Sequence, residues 1–199
     1  VVLERVEILS LIEQFQFNFL DDSRWQFIVS GLKNTIIITF FAVLLGVFLG
    51  FLIAIVRSTH DKTGKLKILN VICRVYLTVI RGTPTMVQLL IVYYVIFATV
   101  DPGKVIVAII AFGMNSAAYV AEIVRSGIMS IDQGQFEAGR SLGLNYTQTM
   151  TKIILPQAVK NILPALGNEM IVLLKETSIS GYIGLTDLTR GGDIIRSQT

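Results

Sequence analysis

The sequence has little of the residue types on which cross-linking and metal binding depend. Its 199 residues include one cysteine and one histidine, so a disulfide within the chain is impossible and a Cys/His zinc site is not expected. Proline is also scarce, with four residues, and the composition excludes collagen-like and disordered chains. Charged residues make up only 16% of the chain, whereas soluble domains average ~25%. A freely soluble globular domain is therefore not expected.

Apolar residues dominate what is present, and they come in long runs. Hydrophobic residues make up 53% of the chain and the mean hydropathy is +0.68. Residues 35–56 carry no charged side chain, and a helix of about 22 residues covers ~33 Å, which matches a hydrocarbon core of ~30 Å. The segment before this run is acidic, so a cleaved signal peptide is excluded. The sequence predicts an integral membrane protein.

Three further runs predict additional spans, at residues 82–100, 105–121 and 161–180, and an apolar lead-in at 68–80 precedes the first of them. Thr83 and Pro84 are expected to be the N-cap and the first helical residue of the second span. The last run is weaker because three charged residues, Glu169, Lys175 and Glu176, interrupt it. The predicted fold class is all-α, a polytopic transmembrane helix bundle with about four spans.

The charges of the connecting segments predict the orientation of these spans. Segment 1–27 holds two basic and five acidic side chains, whereas segments 57–67 and 125–160 hold four basic side chains each against one and two acidic ones. By the positive-inside rule the two basic segments are cytoplasmic. Segment 1–27 is then an external or interfacial N-terminal segment, with Trp25 and Phe27 as interfacial anchors.

A stripe of small residues runs along the first span. Ala42, Gly46, Gly50 and Ala54 recur every four residues, so they share one helix face and allow another helix to approach closely. That neighbour could belong to the same subunit or to a second one, and the sequence leaves both open.

The connecting segment 126–156 is long enough to carry structure of its own. Asp132 is a candidate N-cap, with Gln135 three residues later as in a capping box. A helix over 133–142 would end at Gly143, because glycine readily adopts the left-handed conformation that follows many helices.

A second short helix is expected after this glycine turn. Thr147 is its candidate N-cap, and it should end before Pro156, because the residue that precedes a proline disfavours the helical conformation. An exposed helix–turn–helix projection of this kind suits docking onto a cytoplasmic partner. Binding of nucleic acid is not expected, because the basic and acidic side chains cancel: Asp132, Glu137, Arg140 and Lys152.

The residues of this segment resemble those of a known family. The set Glu137, Ala138, Gly139, Gly143, Ile153, Ile154, Leu155 and Pro156 is similar to the EAA loop, E-A-A-x3-G-x9-I-x-L-P, of the permease subunits of ATP-binding-cassette importers. Only Gly139 departs from this pattern, which usually has alanine at that position. Because glycine is also small, the docking surface is expected to be retained. Segments 81–84 with Gln88, 115–122 and 164–169 resemble the polar amino-acid subgroup of the family.

The resemblance covers about residues 28–199 and implies a type I transmembrane domain with the coupling loop at 126–156. The family fold has five spans, so the last span is expected to be missing here. Two such subunits, identical or homologous, would form the pathway through a bacterial plasma membrane. Two cytoplasmic ATPases would bind the coupling loops of the two subunits, through Glu137, Ala138, Gly139, Gly143, Leu155 and Pro156. An external binding protein would deliver the amino acid.

The chain is not expected to be an enzyme by itself. Its glycine–lysine pairs lack the further residues of a phosphate-binding loop, so ATP and Mg²⁺ are expected on the partner ATPase and no cofactor on this chain. Cys73 is expected to be a packing residue, and His60 has no second histidine with which to bind a metal. Glu122 and Arg125, three residues apart, are expected to form an ion pair.

An ionisable residue inside a membrane span is a candidate for function. Glu169 falls near the middle of the fourth predicted span and Asn115 past the middle of the third. An amino acid needs an acceptor for its ammonium group and donors for its carboxylate, and the candidate set is Asn115, Ser116, Asn168 and Glu169, joined by Gln88 from the subgroup motif.

Two other interpretations of these residues stay open. Glu169 could instead pair with Lys175 or Arg81, and Asn115 could hold helices together. An ion-coupled secondary transporter would use Glu169 as a relay, although no inverted repeat is found.

Overall fold

The computed structural model describes residue 13 and residues 15–198. Its α-helices are α1 (Trp25–Thr63), α2 (Lys67–Gly82), α3 (Thr85–Ile91), α4 (Lys104–Met129), α5 (Gln133–Ser141), α6 (Tyr146–Thr149), α7 (Leu155–Glu176) and α8 (Leu188–Gln198). Turns of π-helix lie at Gln16–Leu20, Val92–Ile96 and Met150–Ile154, and 3₁₀ turns at Asp21–Ser23 and Thr177–Ile183. No strand occurs in these described residues. The prediction of an all-α bundle is confirmed.

Among the described residues, two helices are long and apolar enough to cross a membrane. Trp25–Asp61 in α1 reaches a mean hydropathy of 3.0, and α4 reaches 1.7. A third crossing is obtained if α2 and the helix Thr85–Ile96 count as one bent span. The predicted runs 35–56 and 105–121 lie inside α1 and α4. The run 161–180 is helical, as α7 and the start of the 3₁₀ turn after it, but it does not meet the same limits among the described residues.

The second predicted span is broken, contrary to the expectation that residues 68–80 simply extend it. The axes of Lys67–Gly82 and Thr85–Ile96 differ by 111°. Thr83 is extended, with φ −123° and ψ 147°, as expected for the residue before a proline. Thr83 does not cap the second helix, because its hydroxyl donates to the Val79 carbonyl at 2.8 Å and Pro84 occupies the N-cap position.

The stripe of small residues packs within the subunit. The contact between α1 and α4 is the most extensive one between any two helices that the structure describes. A Cβ atom on Gly46 would lie 2.7 Å from the Ser116 Cβ atom, and one on Gly50 would lie 2.7 Å from the Val120 Cβ atom. These distances are too short for any side chain, so the glycines are required for α4 to approach α1.

The segment that leads into α8 packs against the N-terminal part of α1. A Cβ atom on Gly31 would lie 2.4 Å from the Asp187 carbonyl oxygen, and the Leu188 N–H donates to the Thr35 hydroxyl at 3.1 Å. The Asn34 side chain donates to the Thr186 carbonyl at 2.8 Å. These contacts hold the start of α8 against α1.

Residues 1–12 and 14 of the predicted N-terminal segment 1–27 lie outside the described residues. Its last three residues belong to α1, which begins at Trp25. The domain boundary between residues 27 and 28 stays a prediction.

We expect the substitution Gly50→Ala to lower the stability of the full-length protein, because the added Cβ meets Val120 and the Ala117 carbonyl oxygen. Overpacking of this kind costs ~1–3 kcal/mol. The apparent melting temperature in detergent measures it. The matched control is Gly167→Ala, also inside a helix, where the added Cβ has no neighbour within 4 Å. Equal melting temperatures for the two variants would contradict the packing assigned to Gly50.

Candidate functional site

A polar cavity lies among the end of α2, α4 and α7. Its volume is about 490 Å³. The lining residues are Arg81, Asn115, Tyr119, Glu122, Ile123, Ser126, Ala165, Asn168, Glu169, Val172 and Glu176. One arginine and three carboxylates therefore face this space.

Glu169 is held in the wall of this cavity by one hydrogen bond. The Ser116 hydroxyl donates to the Glu169 Oε1 atom at 2.9 Å. Ser116 is fully buried and Glu169 is 8% exposed. Ser116 lies behind the wall, in the space left by the missing side chain of Gly46. No ion pair joins Glu169 to any residue in the described part of the chain, so the alternative pairing with Lys175 or Arg81 is not observed.

Asn115 connects the cavity to the broken span. Its side-chain amide donates to the Gln88 Oε1 atom at 2.9 Å and, more weakly, to the Thr85 hydroxyl at 3.5 Å. Asn115 thus lines the cavity and joins two helices at once, so the two interpretations of this residue are compatible.

Gln88 lies at the break between α2 and α3 and does not line the cavity. Its amide donates to the carbonyl oxygens of Ile80 at 2.7 Å and Thr83 at 3.0 Å, and to the Thr83 hydroxyl at 2.8 Å. Carbonyl groups at a helix end need such donors. Of the five predicted substrate residues, three line the cavity: Asn115, Asn168 and Glu169.

Glu122 also lines the cavity, and its ion-pair partner differs from the predicted one. Its carboxylate accepts from the Arg57 guanidinium at 2.7 Å and lies 3.8 Å from that of Arg81. The predicted ion pair with Arg125 is wrong, because Arg125 pairs with Asp61 at 3.8 Å. Arg57 comes from α1, which reaches Glu122 across the tight contact with α4.

Arg81, Tyr119 and Glu176 were also missed as cavity residues. The Arg81 guanidinium lies over the Tyr119 ring, 5.7 Å from its centroid, a cation–π geometry. Arg81 was considered only as a partner of Glu169. Tyr119 lies four residues after Asn115 on α4, and this helical spacing was a usable signal.

The projection after α4 begins with a capped helix, as predicted. The Asp132 side chain accepts from the Gly134 N–H at 2.7 Å. The predicted capping box is not formed, because the Gln135 side chain accepts from Gln157 at 3.2 Å instead. Helix α5 ends at Ser141 and Gly143 is left-handed, with φ +73°.

The second helix of the projection differs from the prediction at both ends. Its N-cap is Asn145, which forms a full capping box with Gln148, so Thr147 is not the cap. It does not end before Pro156, because a π-helical turn joins α6 to α7 and Pro156 lies in the first turn of α7.

Gly139 is buried inside the projection and is not part of an exposed docking surface. A Cβ atom on Gly139 would lie 2.5 Å from the Thr149 Cγ2 atom and 2.7 Å from its hydroxyl oxygen. The replacement of the usual alanine by glycine therefore matches the presence of Thr149 on the facing helix.

The exposed side of the projection includes two large side chains with apolar surface. Leu142 is 75% exposed and Tyr146 is 46% exposed. Glu137 and Ala138 are exposed as well, Leu155 is half-buried and Pro156 is exposed. Leu142 and Tyr146 were not among the predicted coupling residues. Two large side chains in a hydrophilic segment would have indicated them.

We expect Gly139→Ala to destabilise the projection because of the collision with Thr149, by ~1–3 kcal/mol. The double substitution Gly139→Ala with Thr149→Ala should recover most of the loss, since it removes the colliding atoms. The melting temperatures of the two single variants, the double variant and the unmodified protein form a cycle that measures the coupling. Additive effects of the two substitutions would contradict this contact.

The chain matches the profile of one protein family over residues 46–197, more than half of its length. That family is described as "Binding-protein-dependent transport system inner membrane component".

Curated relatives and a solved structure resemble the chain over most of its length. It is 38% identical over 175 residues to the putative glutamine transport system permease protein GlnP of Rickettsia prowazekii, covering 87% of this chain and 78% of the relative. It is 35% identical over 191 residues to the L-cystine transport system permease protein TcyB of Bacillus subtilis, covering 94% and 79%. The crystal structure of an amino acid ABC transporter with histidines matches with a TM-score of 0.80 and 44% identity, over 90% of this chain and 82% of that chain. The resemblance to permease subunits is confirmed, and the chain belongs to the family of inner membrane components of binding-protein-dependent transport systems.

Proposed function

We propose that the chain is the membrane-spanning permease subunit of an ATP-driven importer of polar amino acids, with its N-terminus outside the bacterial plasma membrane. The observation that carries the proposal is the polar cavity with Glu169 in its wall. Glu169 lies on α7, the helix that continues from the exposed projection. The names of the relatives and of the matching structure support an amino-acid substrate.

The cavity has the groups that an amino acid requires. Glu169 offers an acceptor for the ammonium group, and Arg81 and Asn168 offer donors for the carboxylate. Glu176 provides a second carboxylate two helical turns from Glu169, about 10 Å along α7. The surplus of carboxylates favours amino acids with a cationic side chain.

The projection is the proposed contact with a cytoplasmic ATPase. Leu142 and Tyr146 present apolar surface, and exposed apolar side chains in a polar segment mark interaction sites. A pair of ATPases would bind ATP and Mg²⁺, and this chain would hold no cofactor of its own. The complete importer would contain a second permease subunit, identical or homologous, and an external amino-acid-binding protein, surrounded by membrane lipid. No nucleic-acid partner is proposed.

ATP-dependent transport follows from a two-state arrangement of these parts. Closure of the ATPases would displace the projections and open the cavity outward, and hydrolysis would return it inward. Binding and transport of the substrate are performed by the cavity residues, whereas the energy is supplied by the partner.

We expect Glu169→Gln to lower amino-acid uptake at least ~10-fold, because the charged acceptor for the ammonium group is lost. The amide keeps an oxygen for Ser116, so assembly should be unchanged. Uptake of labelled amino acids is measured in vesicles that contain the complete importer, with ATP inside. The matched control is Asp101→Asn, which removes an exposed carboxylate but keeps the oxygen that accepts from Gly103.

Two results would count against this assignment. Unchanged uptake by Glu169→Gln would remove Glu169 from the substrate site. Uptake that needs an ion gradient and proceeds without ATP would replace the importer by an ion-coupled carrier, in which Glu169 relays the ion.

We expect Gly143→Val to uncouple ATP hydrolysis from uptake, because a β-branched residue resists the left-handed conformation at φ +73°. A Cβ atom at this position meets nothing within 4 Å, so the effect comes from backbone strain alone, of ~1–2 kcal/mol. Gly143→Asn is the matched control, since asparagine tolerates this conformation. Uptake and ATPase activity are measured together in the reconstituted complex. Equal coupling in the two variants would show that the turn does not transmit force.

A further inference from the structure

A second cavity lies on the other side of Arg81, between α1, α2 and α4. Its volume is about 520 Å³. The lining residues are Arg57, Arg74, Leu77, Thr78, Arg81, Gly82, Tyr119 and Glu122. Three guanidinium groups and a single carboxylate line this space, so its charge is the opposite of that in the cavity of Glu169.

The positive charge of this cleft is only partly neutralised within the chain. Glu122 is shared between Arg57 at 2.7 Å and Arg81 at 3.8 Å. Arg57 is 15% exposed, and its buried Nε atom has no hydrogen-bond partner within the part of the chain that the structure describes. No hydrogen bond or ion pair joins Arg74 to another described residue. Arg74 therefore has its donors free for an anion, and the charge of Arg57 is only partly neutralised by a carboxylate that it shares with Arg81.

The cleft lies at the level where lipid headgroups begin. Arg57 directly follows the uncharged run 35–56 on α1, whose length matches the hydrocarbon core. An arginine without a counter-charge is costly at this depth. Phosphate groups of phospholipids are the anions available there, and Arg binds phosphate oxygens through two parallel N–H donors.

The helix beside the cleft offers a matching surface for acyl chains. The arc of α2 next to Arg74 is apolar and exposed, between 52% and 58% of each side chain: Val71, Ile72, Val75 and Val79. Arg74, Thr78 and Arg81 follow one another at spacings of four and three residues along the adjacent face, which places them in one row. A charged row next to an apolar one fits a molecule with an anionic head and hydrocarbon tails.

We propose that this cleft binds the phosphate group of an anionic phospholipid, with Arg57 and Arg74 on the phosphate oxygens and the acyl chains along Val71 and Val75. Basic pockets between membrane helices bind lipid head groups in this way. Arg81 closes the cleft toward the cavity of Glu169. The site uses a ligand different from the transported amino acid, and it does not depend on which amino acid that is.

The test is native mass spectrometry of the full-length protein, purified in detergent and supplied with either phosphatidylglycerol or phosphatidylcholine. We expect phosphatidylglycerol to be retained in preference to phosphatidylcholine. Arg74→Gln should weaken its retention about five-fold, the factor for one basic residue near an anionic lipid, while Arg74→Lys should keep most of it. Because Arg74 has no partner in the described chain, its substitution should leave folding intact. The control is Lys160→Gln, which removes an exposed positive charge from α7.

Three outcomes would overturn the proposal. Equal retention of the two lipids would show that the protein does not distinguish an anionic headgroup from a zwitterionic one. Equal retention by Arg74→Gln and Lys160→Gln would show that the lipid binds elsewhere. Displacement of phosphatidylglycerol by millimolar inorganic phosphate, or binding of phosphate with no lipid retained, would show that a soluble anion is the ligand.

Discussion

The close approach of α1 to α4 is the constraint on which the rest of the structure depends. At Gly46 the absence of a side chain leaves room for Ser116, whose hydroxyl then reaches Glu169 on α7. A carboxylate buried to this degree needs a hydrogen-bond donor, since an unsatisfied one would be strongly destabilising. The same approach brings Arg57 of α1 to Glu122 of α4. Both polar cavities are therefore built on a contact between two apolar helices.

The break between α2 and α3 depends on a second polar network. A bend of 111° leaves carbonyl groups at the end of α2 without helical partners. The Gln88 amide binds those of Ile80 and Thr83, and its own oxygen accepts from Asn115 of α4. Non-helical backbone is tolerated at membrane depth only where protein or water satisfies it. Gln88 thus fixes the bend to the helix that carries the cavity.

Local patterns in the sequence predicted the features that depend on nearby residues. The uncharged runs located α1 and α4, and the glycine signal located the turn at Gly143. The cap at Asn145 could also have been found, because Gln148 three residues later completes the capping box, whereas Thr147 has Met150 at that position.

Features formed between distant segments were not predictable in this way. Glu122 and Arg57 are 65 positions apart, and nothing local indicates that Arg57 displaces Arg125, the nearer partner. The close contact between Gly139 and Thr149 depends on the angle at which α5 meets the following helix. The bend at Pro84 was not predicted, since Pro84 was expected to be the first residue of a straight span, and its size depends on the network around Gln88.

The continuity of α7 with the projection determines how the two ends of the subunit communicate. A π turn at Met150–Ile154 carries the backbone from α6 into α7 without a loop, and Glu169 lies about 20 Å along the helix from Pro156. Gln157 is tied to Gln135 of α5 at 3.2 Å, and Asn161 to Ser130 at 2.8 Å.

Beyond these ties α7 contacts α4 at Gly127, where a Cβ atom would lie 2.4 Å from the Ile162 Cγ1 atom. Packed helices shift as rigid bodies and do not deform continuously. A displacement of α5 that rotated α7 about this contact would move Glu169 relative to Ser116. Such a motion would act directly on the hydrogen bond between Ser116 and Glu169, which holds the carboxylate in the wall of the cavity.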